Sequence, residues 1–460
     1  MNLKYEKKDV FSTLDSEKIK DANNYAIDYL NFINKAKTEY ICVDEALKIL
    51  NDNGFTNILN KDKLVEGDRI YFINKDKSLF TAVIGSDSLN NGVNIIGAHI
   101  DSPRLDLKPM PLTEKDNIAI LKTQYYGGIK PYQWLSIPLA MHGVVYNQNG
   151  EKINICIGES EDDTCFTIAD LLPHLAKDQL KVVASDFIDP EKMSILIGNT
   201  KGTEGDKSVK SNVLKILNEK YGITEIDFSR SDISFVPAFK ARFVGIDKSM
   251  IGAYGQDDRV CAYATIRAMV DIVKEKVKFS KTMIAMIVDK EEIGSEGNTS
   301  MNSLAFDMFI NKILHMTGND NVDRLELYYN SKMLSADVTA GVDPDYEEIH
   351  DVQNGNLIGS GVAIEKYGGS RGKGGASEAS AKFMSKVMSI FDKEKVIYQM
   401  GTLGKIGKGG GGTIAFILAN KGVDVVDCGT AVLAMHSPFE ITSKYDVYMT
   451  YLAYKAFYKD

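Results

Sequence analysis

Two residues apart in the run Gly97-Ala98-His99-Ile100-Asp101-Ser102-Pro103 stand an imidazole and a carboxylate. In an extended segment such residues point the same way. His99 can then ligate a metal ion while Asp101 orients its ring. Taken alone, the pair reads better as a buried histidine followed by a turn aspartate before Ser-Pro. Tyr254-Gly255-Gln256-Asp257-Asp258-Arg259 carries two acidic residues directly before a helical pattern, where they would also simply favour the helix macrodipole. In Val288-Asp289-Lys290-Glu291-Glu292-Ile293-Gly294-Ser295, one glutamate can bind metal while its neighbour serves as general base. A solvated charge run is the alternative, though it sits oddly at the exit of an apolar strand. Asp337, in Ser335-Ala336-Asp337-Val338, and His436, in Leu433-Ala434-Met435-His436-Ser437-Pro438-Phe439-Glu440, are weak signals singly. Together His99, Asp257, Glu292, Asp337 and His436 could hold two divalent ions about 3.5–4 Å apart, bridged by one carboxylate. Nitrogen and oxygen donors without thiolates suit zinc, with cobalt or manganese as alternatives.

The elements that must position these residues follow from periodicity. Apolar residues at helical spacing predict a helix over 16–36, another over 43–52 ending at Asn53-Gly54, and later helices over 259–276, 413–419 and 444–458. Strand patterns occur at 69–73, 79–84, 93–99, 282–288 and 424–427. The run 93–99 is mostly apolar, as a central strand buried on both faces should be. Alternating strands and helices imply an α/β fold with a mixed central sheet flanked by helices, whose strand ends are where ligands bind. Between 108 and 234 the texture changes to short alternating strands with a Gly/Pro turn at Gly127-Gly128-Ile129-Lys130-Pro131. This predicts an inserted β-rich domain over 108–234, within a catalytic domain formed by 1–107 and 235–460.

With 460 residues the chain exceeds one ordinary core. A net charge of −9 and a pI near 5.4 argue against nucleic-acid binding and favour small or peptidic ligands. No apolar run approaches the roughly 20 residues that span a bilayer, and Met1 to Lys8 has no signal-peptide pattern. Five scattered cysteines form no CxxC pair, so a reducing cytoplasm is the expected compartment. The glycine-rich strings at 369–377 and 407–413 lack the phosphate-loop spacing.

In order and local context, the runs 97–103, 257–258, 289–295, 335–337 and 434–437 resemble the aspartyl-aminopeptidase family of dinuclear zinc exopeptidases, across nearly the whole chain. The resemblance implies a zinc-exopeptidase-like fold and cleavage of single residues, acidic or neutral, from peptide N-termini. It implies that His99 binds one metal, Asp257 bridges both, Glu292 and Asp337 each bind one, and His436 completes the ligand set of the second metal. Asp101 would orient His99, Glu291 would be the general base, and the Asp257–Asp258 bond would be cis. His174, in Leu172-Pro173-His174-Leu175-Ala176, looks like the family histidine that reaches a neighbouring subunit's site, with a helix-surface or dimer-interface role as the alternative. The inserted domain would be a dimerisation domain, and the homo-oligomer a dodecamer built from dimers.

The chain departs from the pattern in three places. Asp258 stands where asparagine is usual, so either of the adjacent carboxylates could bridge. The segment after Trp134 lacks the family's charged continuation, and its His142 reads as structural. The run 369–377 aligns poorly; its Arg371 or Lys373 could receive an acidic substrate side chain or be solvated loop charges. Two other activities fit the same donors: a dinuclear amidohydrolase that deacylates small molecules, and a non-enzymatic metal-binding assembly protein.

Overall fold

The six residues of the strand Asn94–His99 are all buried, and its apolar side chains alternate between two cores. Ile96 and Ala98 enter one, Ile95 the other. The same division runs through Met283–Val288, where Ala285 and Ile287 face the first core and Ile284, Met286 and Val288 the second. This is the period of two expected of strands covered on both faces, and it is why these segments read as unbroken apolar runs. The structure, a computed structural model, describes residues 3–203, 205–369 and 377–460.

The chain divides into two units: Met1–Asp101 with Ala241–Met435 and Phe439–Asp460, and Ser102–Lys240 with His436–Pro438. The first unit is mixed α/β. Among the described residues its larger sheet has nine strands, with Met283–Val288, Asn94–His99, Lys332–Ser335 and Asp424–Gly429 side by side and parallel at its centre. A five-stranded sheet joins Arg242–Val244, Met250–Ala253, Glu440–Ser443, Ala431–Leu433 and Thr339–Ala340.

The helices Ser16–Ile33, Gln256–Lys274 and Lys444–Lys459 contribute to the first core, and Ala305–Met316 to the second. Lys444–Lys459 is buried almost all round and is tied to the parallel strands by its tyrosines. Tyr454 donates to Cys428 O at 2.7 Å and Tyr458 to Ile284 O at 2.9 Å. On the same helix, the buried Asp446 accepts the backbone N–H groups of Gly359 (2.6 Å) and Gly361 (2.7 Å). Burial pushes its carboxyl up to about 7. No helix among the described residues is long and apolar enough to cross a membrane.

The second unit carries a six-stranded antiparallel sheet in the order Lys152–Ile157, Leu139–Tyr146, Ser231–Pro237, Arg104–Lys115, Ile118–Tyr126, Ile195–Gly198. Its one long helix among the described residues is Val209–Tyr221, which buries Val209, Val213 and Leu217 at helical spacing. The Ser208 side chain caps it by accepting from Ser211 N, and Gly222 ends it in the left-handed conformation at φ 68°.

Most helices and strands expected from periodicity are present within a few residues. Two boundaries differ for local reasons. The helix expected from 43 begins at Glu39, because Glu39 is buried and paired with Lys77 at 3.2 Å and so reads as solvent-facing in the sequence. The helix expected from 413 begins at Ala415, because Thr413 is drawn out of it: its hydroxyl donates to Asp427 Oδ1 at 2.7 Å and accepts from Ala415 N at 3.2 Å, and Ile414 is the N-cap.

Candidate active site

His99 ends its central strand, and Asp101 follows in the turn beyond it. The His99 ring is fixed from both sides. Its Nδ1 lies 3.0 Å from Asp101 O and 3.3 Å from Asp101 Oδ1. Its Nε2 lies 3.1 Å from Asp257 Oδ1 and 3.7 Å from Asp337 Oδ1. Burial opposes charging of the ring, but hydrogen bonds to Asp101, Asp257 and Asp337 outweigh it and hold His99 well above its usual range.

Asp101 does more than orient the imidazole. Its two oxygens accept the backbone N–H groups of Glu291 and Glu292, each at 3.1 Å. One carboxylate therefore fixes the histidine and the glutamate turn together. That turn, Glu291–Ile293, lies between Lys290 (φ 69°) and Gly294 (φ 97°), both left-handed. Asp289 pins its start by accepting from Lys290 Nζ at 2.7 Å and Thr299 Oγ1 at 2.6 Å.

Asp257 is delivered by the strand Met250–Ala253 through a bend with Gly255 at φ 72°. Regular helical geometry starts only after Asp258, and the Asp257–Asp258 bond is cis. The Asp257 N–H donates to the buried Glu440 at 3.1 Å. Gln256 Nε2 donates to Ile251 O at 3.2 Å and Glu440 O at 2.7 Å. Asp258 sits behind, its Oδ2 accepting from His99 N at 3.3 Å, and burial and Asp337 push it well above the carboxylate range. Arg259, fully buried, donates from Nε to Ile100 O at 2.9 Å and lies over the Tyr254 ring at 5.4 Å. Glu440, Gln256 and Arg259 were not singled out from the sequence. Their signal was faint: polar residues inside otherwise apolar surroundings.

The potential ligand atoms of His99, Asp257 and Asp337 lie within 4.8 Å of one another, as do those of Asp257 and Glu292. Asp257 is common to both groups. Three carboxylates gathered in so little solvent repel each other, which a divalent cation would offset. Burial, with Asp337, Asp101 and Asp257 adding to it and His99 opposing, pushes Glu291 up to about 8. The donor set and its charge thus fit zinc.

Asp337 is held from behind by a close approach. A Cβ on Gly429 would stand 1.8 Å from Asp337 O. Gly429→Ala must displace the Asp337 backbone, and zinc affinity should fall about tenfold or more. Titration against a competing chelator would measure it. Unchanged affinity in the folded variant would mean that the position of Asp337 is immaterial to metal binding.

His436 and His174 belong to the second unit. His436 has φ 65°, and its Nδ1 lies 2.8 Å from Gly128 O. His174 is exposed in the single turn Pro173–Leu175, and among the described residues no hydrogen bond reaches its ring. Arg371 and Lys373 lie outside the described residues.

A buried histidine–carboxylate cluster at the C-terminal edge of parallel strands, with a glutamate turn beside it, is the side-chain set of a metallohydrolase. A family profile described as Aminopeptidase I zinc metalloprotease (M18) matches residues 32–458, and the chain belongs to this M18 peptidase family. A probable M18 family aminopeptidase 1 from Clostridium acetobutylicum is 44% identical, the match covering 98% of each chain. The crystal structure of an M18-family aminopeptidase from Thermotoga maritima superposes with a TM-score of 0.94 at 43% identity, over 99% of this chain and 100% of that one. The S. cerevisiae mApe1 dodecamer shares the fold, with a TM-score of 0.77 at 20% identity over 95% of this chain and 97% of that one. The chain is a zinc aminopeptidase, a peptide hydrolase of the aspartyl-aminopeptidase type.

Proposed function

We propose that this aminopeptidase works with two metal ions that share Asp257. His99 and Asp337 complete one site, and Glu292 with His436 the other. The observation that carries this reading is the membership of Asp257 in both ligand groups. His436 lies in a three-residue excursion flanked by Met435 and Phe439, both of the first unit.

When bound, the ions supply Lewis-acid activation of water and of the scissile carbonyl. Glu291 takes a proton from the attacking water and returns it to the leaving amine. Asp101 keeps Glu291 in reach by holding its backbone, and fixes the His99 tautomer with Nε2 toward the ligand site. The surrounding carboxylates attract the substrate's α-ammonium, so only a peptide with a free N-terminus is oriented for cleavage. Arg371 and Lys373 are the candidates for contact with an acidic first side chain; neutral residues such as leucine are the other class.

A panel of Asp, Glu, Leu and Lys anilides, with N-acetylated counterparts, tests the reading. Cleavage of the free-amine forms should be abolished by a chelator and restored by zinc. Acetylation should lower kcat/KM at least about a hundredfold, since it removes a buried charged contact. Equal cleavage of acetylated substrates would sink the amine-recognition step, and full activity at one bound ion per chain would sink the two-ion reading.

The assembly is proposed to be a dodecamer built from dimers that form through the second unit, with His174 acting in a neighbouring subunit's site. Exposed Leu171, Leu172, Leu175, Leu180 and Val183 around His174 support an interface there. A reducing, cytoplasmic setting is supported by five unpaired cysteines.

A further inference from the structure

Within the second unit, the environment of one histidine suits a different chemistry. His142 stands in Leu139–Tyr146 directly opposite Cys156 of the edge strand Lys152–Ile157. Residues so paired project from the same face, their Cβ atoms about 4.5–5.5 Å apart. His142 is 2% exposed, whereas Cys156 is open to solvent. The ring's Nε2 lies 2.7 Å from Glu159 Oε1, and Lys240 Nζ donates to the other Glu159 oxygen at 3.1 Å. A carboxylate at Nε2 makes that nitrogen the donor and leaves Nδ1 with its lone pair.

Nδ1 is buried and has no hydrogen-bond partner among the described residues. The neighbour on the other side, Ser234, does not serve it, because its hydroxyl donates to Asp106 Oδ1 at 2.6 Å. Most buried ring nitrogens are hydrogen-bonded, so an open Nδ1 beside a thiol is available to take its proton. Burial opposes charging of the ring, but Cys156 and Glu159 outweigh it, so His142 holds a proton more readily than a free imidazole.

We propose that Cys156 is a reactive thiol, with His142 as its base and Glu159 as the residue that orients the base, and that it takes hydroperoxides and soft carbon electrophiles. With hydrogen peroxide, the Sγ proton passes to His142 Nδ1 and the sulfur attacks one peroxide oxygen. The S–O bond forms as the O–O bond breaks. The leaving hydroxide takes the proton from His142, giving water and a cysteine sulfenic acid; sulfur is oxidised and the peroxide reduced.

Cys165 is the internal comparison: it lies in the same unit, is exposed, and makes no side-chain hydrogen bond among the described residues. The zinc-loaded full chain is treated at pH 7 with limiting iodoacetamide, and alkylation of each cysteine is followed by peptide mass spectrometry. Cys156 should react about tenfold or more faster than Cys165, and His142→Gln should bring the two within about twofold. Hydrogen peroxide with dimedone should mark Cys156 and not Cys165, while Cys156→Ser retains aminopeptidase activity. Equal rates in the unaltered chain overturn the proposal, as does a folded His142→Gln variant with an unchanged Cys156 rate, or failure of dimedone to mark Cys156. Should His142→Gln not fold, Glu159→Gln takes its place: slower alkylation supports the proposal, and an unchanged rate overturns it.

Discussion

Replacing Glu291 with glutamine should lower kcat by about 10²–10⁴-fold while leaving zinc content near that of the unaltered enzyme. The side chain keeps its size and loses only the ability to take a proton. The contact that fixes the turn also survives, because Asp101 binds the backbone N–H of Glu291 and not its carboxylate. The substitution therefore separates proton transfer from architecture. Glu292→Gln should behave in the opposite sense, losing zinc first and activity as a consequence, since this neighbour shares a ligand group with Asp257. Steady-state kinetics beside metal analysis distinguishes the two. A Glu291→Gln enzyme that kept half its kcat or more would remove Glu291 from the reaction. One that lost its zinc would make it a ligand.

The contrast with Asp101 shows how far the site could be read from sequence. That His99 and Asp101 face the same way follows from their spacing, and the structure places them 3.3 Å apart at Nδ1 and Oδ1. That Asp101 also clamps the glutamate turn does not follow. The contact joins residues 190 positions apart, and nothing local to either segment announces it. The parallel strands were legible because burial on both faces leaves long apolar runs. The supports of Asp257 were not. Glu440 and Gln256 are buried polar residues satisfied by backbone groups from distant strands, and in the sequence each is merely one polar letter. Gly429 was equally silent: its lack of a side chain matters only because the Asp337 carbonyl passes against it.

Removing the metal should cost stability in a pH-dependent way, and the sign follows from the same buried groups. In the metal-free fold, burial lifts Glu291 from its ordinary 4.5 to about 8, and burial lifts Asp337 in the same direction. A carboxyl raised on folding binds its proton more tightly in the native state than in the unfolded one. As pH climbs from the unfolded value toward about 8, the native state must give up protons that it favours, and stability falls. His99, raised above its usual range by its carboxylate neighbours, contributes stability at low pH that is likewise lost as pH rises through its folded value. Zinc reverses the account: it neutralises the carboxylates and needs His99 unprotonated, so it binds better as pH rises. At a thousandfold excess over Kd a ligand stabilises by about 4 kcal/mol. The melting-temperature gap between zinc-loaded and chelator-stripped protein should therefore widen between pH 5 and pH 8, chiefly because the stripped protein weakens. Scanning fluorimetry of both forms across that range measures it. A gap that is constant, or larger at pH 5, would mean that the His99–Asp257–Asp337 cluster and Glu291 do not bind the metal as a unit, whatever the activity of the loaded enzyme.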